Sequence, residues 1–298
     1  MLWLLGCTPP AETGAEDTQD TQPEAVEAWT EDCLGLDQET TWLCSEELFW
    51  QALQTEVDLD SRQVAWDRIS AIIDANPDPD DPLQLGRRHF QRGQLAMALA
   101  IENGEQSMIG TVVPDIDRAM ELDPTNPVIP TWKDSMLIAT AHLFGNDAAL
   151  EQALEQAWEN VALFPVGNTL SISGTTIGLP LSTGAPQHTV ELLDAWVCED
   201  APMCDGNTER APFGRPGLAF HFGEAYARVG QLDTAQAYMD LALTEEDAED
   251  WPYRFMAEDA AEDIEGFAQK FADLGEEGSG FELVYANSEV GCQFCHSR

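Results

Sequence analysis

From about Ala25 to Leu274 the apolar residues return at helical spacing, and the breaks fall at Pro, Gly and Asn-Pro or Asp-Pro steps. That period dictates an all-α fold, because a half-buried strand needs alternation and few stretches alternate. Ser45 reads as the cap of a helix carrying Leu48, Trp50 and Leu53. Asp60 reads as the cap of the next, with Val64, Ile69, Ile72 and Ile73 before the stop at Asn76-Pro77. Further helices are expected from Pro82, from near Gln106 to Leu122, from Val128 to Phe144 and from Asp147 to Leu163. Between Gly167 and Gly184 the chain is rich in Gly, Ser and Thr and reads as an inserted loop. Trp50, Trp66, Trp132 and Trp158 lie at helical spacing among apolar neighbours, which marks them as core residues rather than a ligand cage.

Charge narrows the partners. The chain has 55 Asp and Glu against 13 Lys and Arg, a formal net charge of -42. Such a surface repels nucleic-acid phosphates and anionic lipid, so partners are cationic, neutral or metal-bearing. The acids are spread along the whole sequence, as a solvated surface requires, and self-repulsion of this size is relieved by salt. Apolar residues make up 44% of the chain, enough for a sizeable core.

One segment is more specific than general helicity. Gly223, Tyr226, Gly230, Ala235, Met239 and Ala242 are spaced as in the tetratricopeptide repeat (TPR), which the segment closely resembles. The resemblance implies two antiparallel helices that approach closely at Gly223 and Ala235, with Tyr226 filling the gap, Gly230 at the turn and Ala242 small late in the second helix. Ala119 to Pro124 resembles the end of another repeat, and Leu85-Gly86 to Gly93 resembles an opening. The stretches ending at Asn76-Pro77 and Phe164-Pro165 are weaker copies. The resemblance implies a TPR-like solenoid over residues 25–274 whose concave face holds a protein partner.

The N-terminus speaks to compartment. Leu4-Leu5-Gly6-Cys7 resembles the lipobox of bacterial lipoproteins, although no basic region precedes it. The resemblance implies lipidation of Cys7, export, and anchoring at the cell envelope on the periplasmic face of the outer membrane. Residues 8 to 24 are rich in Pro, Thr, Glu, Asp and Gln and read as a disordered tether, so residues 1–24 form a signal remnant plus tether. Cys33 with Cys44, and Cys198 with Cys204, form two local pairs suited to disulfides in an oxidising compartment, or to reduced thiols otherwise.

The last 24 residues, 275–298, change character and form a short C-terminal tail that ends in Cys292-Gln293-Phe294-Cys295-His296-Ser297-Arg298. Cys-x-x-Cys-His resembles the attachment site of c-type cytochromes. The resemblance implies one covalent haem c, with Cys292 and Cys295 as thioether positions and His296 as the axial iron ligand. Only two residues follow His296, so a distal ligand must come from the repeats or from a partner. His221 is a candidate, and His89 a lesser one. The same residues also allow a disulfide or thiol pair, or another metal, although no second Cys-x-x-Cys or His-x3-His completes a zinc site.

The acidic clusters at 78–81, 245–250 and 258–263 lack the spacing of a calcium loop, and no hydrolase or phosphate-binding motif is present. The sequence therefore points to an electron-transfer or scaffold protein rather than an enzyme. The expectation is an exported, lipid-anchored TPR-like scaffold bearing one c-type haem and docking a redox protein. The alternative is a non-redox interaction lipoprotein of an envelope or transport complex, with Cys292 and Cys295 oxidised.

Overall fold

The computed structural model describes Cys33 and residues 38–52, 59–76, 81–103, 106–195, 211, 213–281, 283–284 and 295. Among these residues the secondary structure is helical, with twelve α-helices and no β-strand. The chain divides between Thr125 and Asn126 into two compact units, a division that falls inside the span 25–274. No described helix is long and apolar enough to cross a membrane.

The N-terminal unit holds α1 (Gln38–Ala52), α2 (Leu59–Ala75), α3 (Pro82–Asn103) and α4 (Gln106–Leu122). Helix α1 packs on α2 and α3, α2 packs on α3, and α3 runs along α4. Ser45 is not a cap: α1 starts at Gln38, and the Ser45 hydroxyl donates to the Trp42 carbonyl at 2.8 Å and accepts from Arg88 at 3.0 Å. Tertiary pairing with a buried arginine has overridden the local capping preference. The disulfide Cys33–Cys44 ties the chain ahead of α1 to that helix, and the Thr41 hydroxyl donates to the Cys33 carbonyl at 3.1 Å. Gly86 and Gly93 let α4 approach closely, since a Cβ on them would stand 3.1 Å from Leu122 Cβ and 3.0 Å from Ile116 Cδ1. Gly93 therefore serves close packing in the interior of α3.

The C-terminal unit holds α5 (Val128–Leu143), α6 (Asp147–Leu163), α7 (Pro165–Ile177), a 3-10 turn (Leu181–Thr183) and α8 (Ala185–Ala195). It continues with α9 (Gly214–Arg228), α10 (Leu232–Thr244), α11 (Arg254–Glu262) and α12 (Ile264–Ala272). Within this unit each helix packs on the next; α5 also packs on α7, and α12 folds back on α9. The stretch read as an inserted loop is mostly helix α7. Pro165 starts it, Ile172 and Ile177 are fully buried, and hydroxyls of Ser171 and Thr176 donate to the Gly167 and Ile172 carbonyls at 2.9 and 3.2 Å. Hydroxyls that bond back to their own helix make a Ser/Thr-rich segment compatible with burial.

Helices α9 and α10 form an αα-hairpin. Gly230, at φ +78, makes the turn in the left-handed region that glycine tolerates. A Cβ on Gly223 would stand 2.7 Å from Met239 Cε, so only a glycine allows this approach without a shift. Tyr226 stacks on Tyr238 with centroids 5.3 Å apart, and Ala235, Met239 and Ala242 are fully buried. Of the four tryptophans read as core, all are half-buried; among the described residues the buried tryptophans are Trp42 and Trp251.

The described start of the tail is packed rather than loose. The Ser182 amide donates to the Glu276 carbonyl at 2.9 Å, the Gly280 amide donates to the Gly178 carbonyl at 2.8 Å, and Phe281 and Val284 are buried.

Candidate functional site

Helix α9 passes through the centre of the C-terminal unit. Every residue from Phe222 to Arg228 is buried, the charged Glu224 and Arg228 enclosed along with the aromatic and small ones. Around it lies a core that includes Phe213, Phe220, Trp251, Tyr253, Phe267 and Phe271. The chemistry-bearing side chains of this unit gather along α9.

At its start sits Cys295. The Cys295 carbonyl accepts a hydrogen bond from the Phe213 amide at 3.2 Å, and its Sγ lies 3.9 Å from the Gly214 carbonyl oxygen. The half-buried thiol packs at the rim of the aromatic core. Cys292 and His296 lie outside the described residues, as do Cys7, Cys198 and Cys204.

Two turns further along α9, about 10 Å up the axis at 1.5 Å per residue, is His221. Its Nε2 hydrogen-bonds the Ser173 hydroxyl of α7 at 2.6 Å, and its Nδ1 lies 3.5 Å from Glu224 Oε2 on the next turn. Glu224 is 1% exposed and Ser173 fully buried. His221 thus sits on the helix that carries the Cys295 contact, with Nε2 engaged by Ser173. The other described histidines are likewise held. His89 Nδ1 meets Asp115 at 2.8 Å, His188 packs edge-on against Trp158, and the His142 ring lies 5.4 Å from that of Phe281. Burial pushes the His142 pKa down, partly offset by Asp147.

At the end of α9, Arg228 is a buried cation held by carbonyls, with no carboxylate bonded to it among the described residues. Its Nε donates to the Ile177 carbonyl at 3.3 Å, Nη1 to Phe271 at 3.3 Å, and Nη2 to Leu179 at 2.8 Å and Gly278 at 3.0 Å. Ile177 ends α7, and Phe271 lies in the last turn of α12. Helix C-termini carry partial negative charge, so two of them supply the field an anion would otherwise provide. Burial still draws the Arg228 pKa below its ordinary value. Two residues earlier the Tyr226 hydroxyl donates to Asp194, and burial, then that hydrogen bond and charge, drive its pKa far above the tyrosine range.

Among the described residues no group of three or more His, Cys, Asp and Glu is placed to hold a metal ion. The sequence singled out Cys295 and His221, and the structure sets both along α9. It also brings in Ser173, Glu224 and Arg228, which sequence reasoning passed over. Only the position of Arg228 at a helix end signalled anything, since their partners lie 48 to 51 residues away for Ser173–His221 and Arg228–Ile177.

Comparison with protein-family models, with curated proteins and with solved structures gave no match.

Proposed function

We propose that this chain is an exported, lipid-anchored TPR-like scaffold that carries one covalent c-type haem and serves electron transfer within a redox complex. The observation that carries the reading is the Cys292-x-x-Cys295-His296 string, with Cys295 set at the aromatic rim beside the start of α9. Bound through Cys292 and Cys295, with His296 on the iron, the haem would supply one-electron chemistry at the envelope. The protein's own residues hold the site: Phe213 fixes the Cys295 backbone, and the aromatic core excludes water from its inner side.

The repeat reading draws support from the α9–α10 hairpin, where Gly223, Tyr226, Gly230, Ala235 and Ala242 perform the close-packing, gap-filling and turning roles that the resemblance assigned to them. Helices that pack in chain order are what stacked helix pairs produce. A disulfide between Cys33 and Cys44 accords with export.

The test is the absorption spectrum of protein produced in a host that attaches haem outside the cytoplasm. Reduced Soret and α bands that survive denaturation, and that vanish when Cys292→Ala and Cys295→Ala are combined, support the proposal. A colourless protein of full helical content, with Cys292 and Cys295 joined to each other in a peptide map, replaces it by the non-redox scaffold.

A further inference from the structure

Helices α11 and α12 leave a cleft of about 220 Å³ between them, with Phe255, Met256, Asp259, Asp263, Phe267 and Lys270 on its walls. Helix α11 turns its small residues Ala257 and Ala260 inward and leaves the Phe255 ring 52% exposed. One exposed ring is ordinary, but this one shares the cleft with the Met256 thioether and Phe267. Free organic ligands occupy pockets of roughly 300–1,000 Å³. The cleft is smaller and suits a single inserted side chain.

Its charge selects which one. From Arg254 to Lys270 the chain carries five carboxylates, those of Glu258, Asp259, Glu262, Asp263 and Glu265, against two cations. All five acids are exposed. Arg254 is engaged by Glu258 at 2.8 Å and by the Leu243 and Ala248 carbonyls at 3.1 and 3.2 Å. The Asp263 carboxylate is fixed as the cap of α12: its Oδ1 accepts from the Gly266 amide at 2.9 Å, and a Cβ on Gly266 would collide with Oδ2. Asp259 makes no ion pair with any described residue, and neither does Lys270. The Lys270 ammonium stands instead 5.7 Å from the centre of the Phe267 ring, so the cleft already sets one amine against an aromatic face. Phe255, Met256 and Asp259 are left for a visitor. That visitor needs a positive head and an apolar stem. Arginine supplies both, since its planar guanidinium lies flat on a ring and bonds carboxylates through a fork of donors.

We propose that the α11–α12 cleft seats an exposed arginine of a partner protein, the side chain by which a cationic partner docks on this unit. Arginine is favoured at the centre of interfaces for the same reasons. The proposal rests on the scaffold part of the reading above and gives its partner a chemistry. It uses none of Cys292, Cys295 and His296, so a colourless protein would leave it standing, and its own failure would leave the haem reading untouched.

The test titrates the peptide Gly-Ala-Arg-Ala-Gly into the full chain and follows the backbone amides of Met256, Gly266 and Lys270 by NMR. Two further peptides carry citrulline, which keeps the shape of arginine without its charge, or lysine in the central place. The arginine peptide should shift these amides saturably, and citrulline should bind at least about threefold more weakly. Asp259→Asn should weaken the arginine peptide about twofold to fivefold. Glu151→Gln removes the same charge from an exposed site on α6 and should leave the affinity unchanged. Salt of about 0.15 M, where the screening length is about 8 Å, keeps the general field of the chain out of this comparison. Equal weakening by the two variants would mean diffuse attraction to an acidic surface and overturns the proposal. So does citrulline binding as tightly as arginine, lysine binding as tightly as arginine, or the lack of a saturable shift at these amides. The peptide comparison is made on the wild type and decides the matter even if Asp259→Asn disturbs α11.

Discussion

Two buried arginines, one in each unit, are held in opposite ways. In the N-terminal unit Arg88 has a carboxylate: Glu46 takes it at 2.7 Å and the half-exposed Arg87 at 2.6 Å, and Asp115 takes the partly exposed Arg92 at 2.6 Å, while Arg62, also buried, donates to the Ala52 carbonyl at 3.0 Å. Gln91 and the Trp50 indole complete the Glu46 shell, at 2.9 and 2.7 Å. In the C-terminal unit Arg228 is surrounded by carbonyls, and Asp134 is bonded by the Asn160 amide at 2.6 Å. The chain's charge of -42 makes carboxylates abundant, so that carbonyls rather than a described carboxylate hold Arg228 reflects geometry. Where helix ends converge, their carbonyls do the work of an anion. Where helices pass side by side, as α1 and α3 do, only a side chain reaches across.

The largest expected effect breaks the first arrangement. Glu46→Ala strands Arg88, which is 1% exposed, and removal of one partner from a buried pair costs about 3–5 kcal/mol. Urea unfolding of the full chain should show an early transition in this variant, whereas Glu121→Ala, at a surface pair with Arg118, should shift it by no more than about 1 kcal/mol. If both variants unfold alike, the Glu46 cluster is not the core of its unit.

Next is the covalent tie. Opening Cys33–Cys44 by a paired change to serine should cost about 2–4 kcal/mol, confined to the N-terminal unit. Reductant should produce the same loss in the wild type and none in the double variant. An equal loss in both would show that reduction acts elsewhere.

Arg228→Met sharpens the comparison from the other side. It removes the cation and leaves four carbonyls, of which those at the helix ends are the better placed to relax. A loss of about 1–3 kcal/mol is expected, below that for Glu46→Ala. Denaturant midpoints of the two variants decide the order, and a reversed order would mean that Arg228 binds its carbonyls more strongly than Arg88 binds a carboxylate.

Much of this contrast was invisible in the sequence. Periodicity and Pro placed α3, α4 and α6 at their observed starts, because amphipathic spacing and breakers are local properties. The hairpin of α9 and α10 was readable through the repeat resemblance, which gave Gly223 the close-packing position and Gly230 the turn. The Cys33–Cys44 pair was readable from proximity alone. Ser45 misled, since its cap preference yielded to Arg88, 43 residues away. Helix α7 was missed because its Ser and Thr bond inward, a choice settled by burial. The Glu46 ion pairs and the Arg228 cluster join residues more than 40 positions apart, and no local rule selects them. Of the candidate haem site, the string was legible and the contact of Cys295 with Phe213 was not.

The smallest expected effect is a difference in pH dependence. Burial raises the Glu46 pKa, but its Trp50 hydrogen bond, Arg88, Arg87 and Gln91 outweigh that and hold it below the usual carboxylate range. A depressed carboxylate contributes stability above its unfolded pKa and loses it as pH falls through the folded value. Asp134 runs the other way. Burial raises its pKa, and the Asn160 bond and Lys133 offset this only in part. Its folded form favours the proton, so its contribution is present below the unfolded pKa and is lost as pH rises through the folded one. Glu46→Gln should therefore destabilise at about pH 7 and fade toward about pH 3, while Asp134→Asn should stabilise at about pH 7 and also fade toward about pH 3. Each variant is compared with the wild type at the same pH and salt, which removes the general relief of self-repulsion on acidification. Thermal midpoints of opposite displacement at neutral pH support two distinct modes of charge burial; displacements of the same sign would show that Asp134 is held as an anion by its unit, as Glu46 is by the arginines.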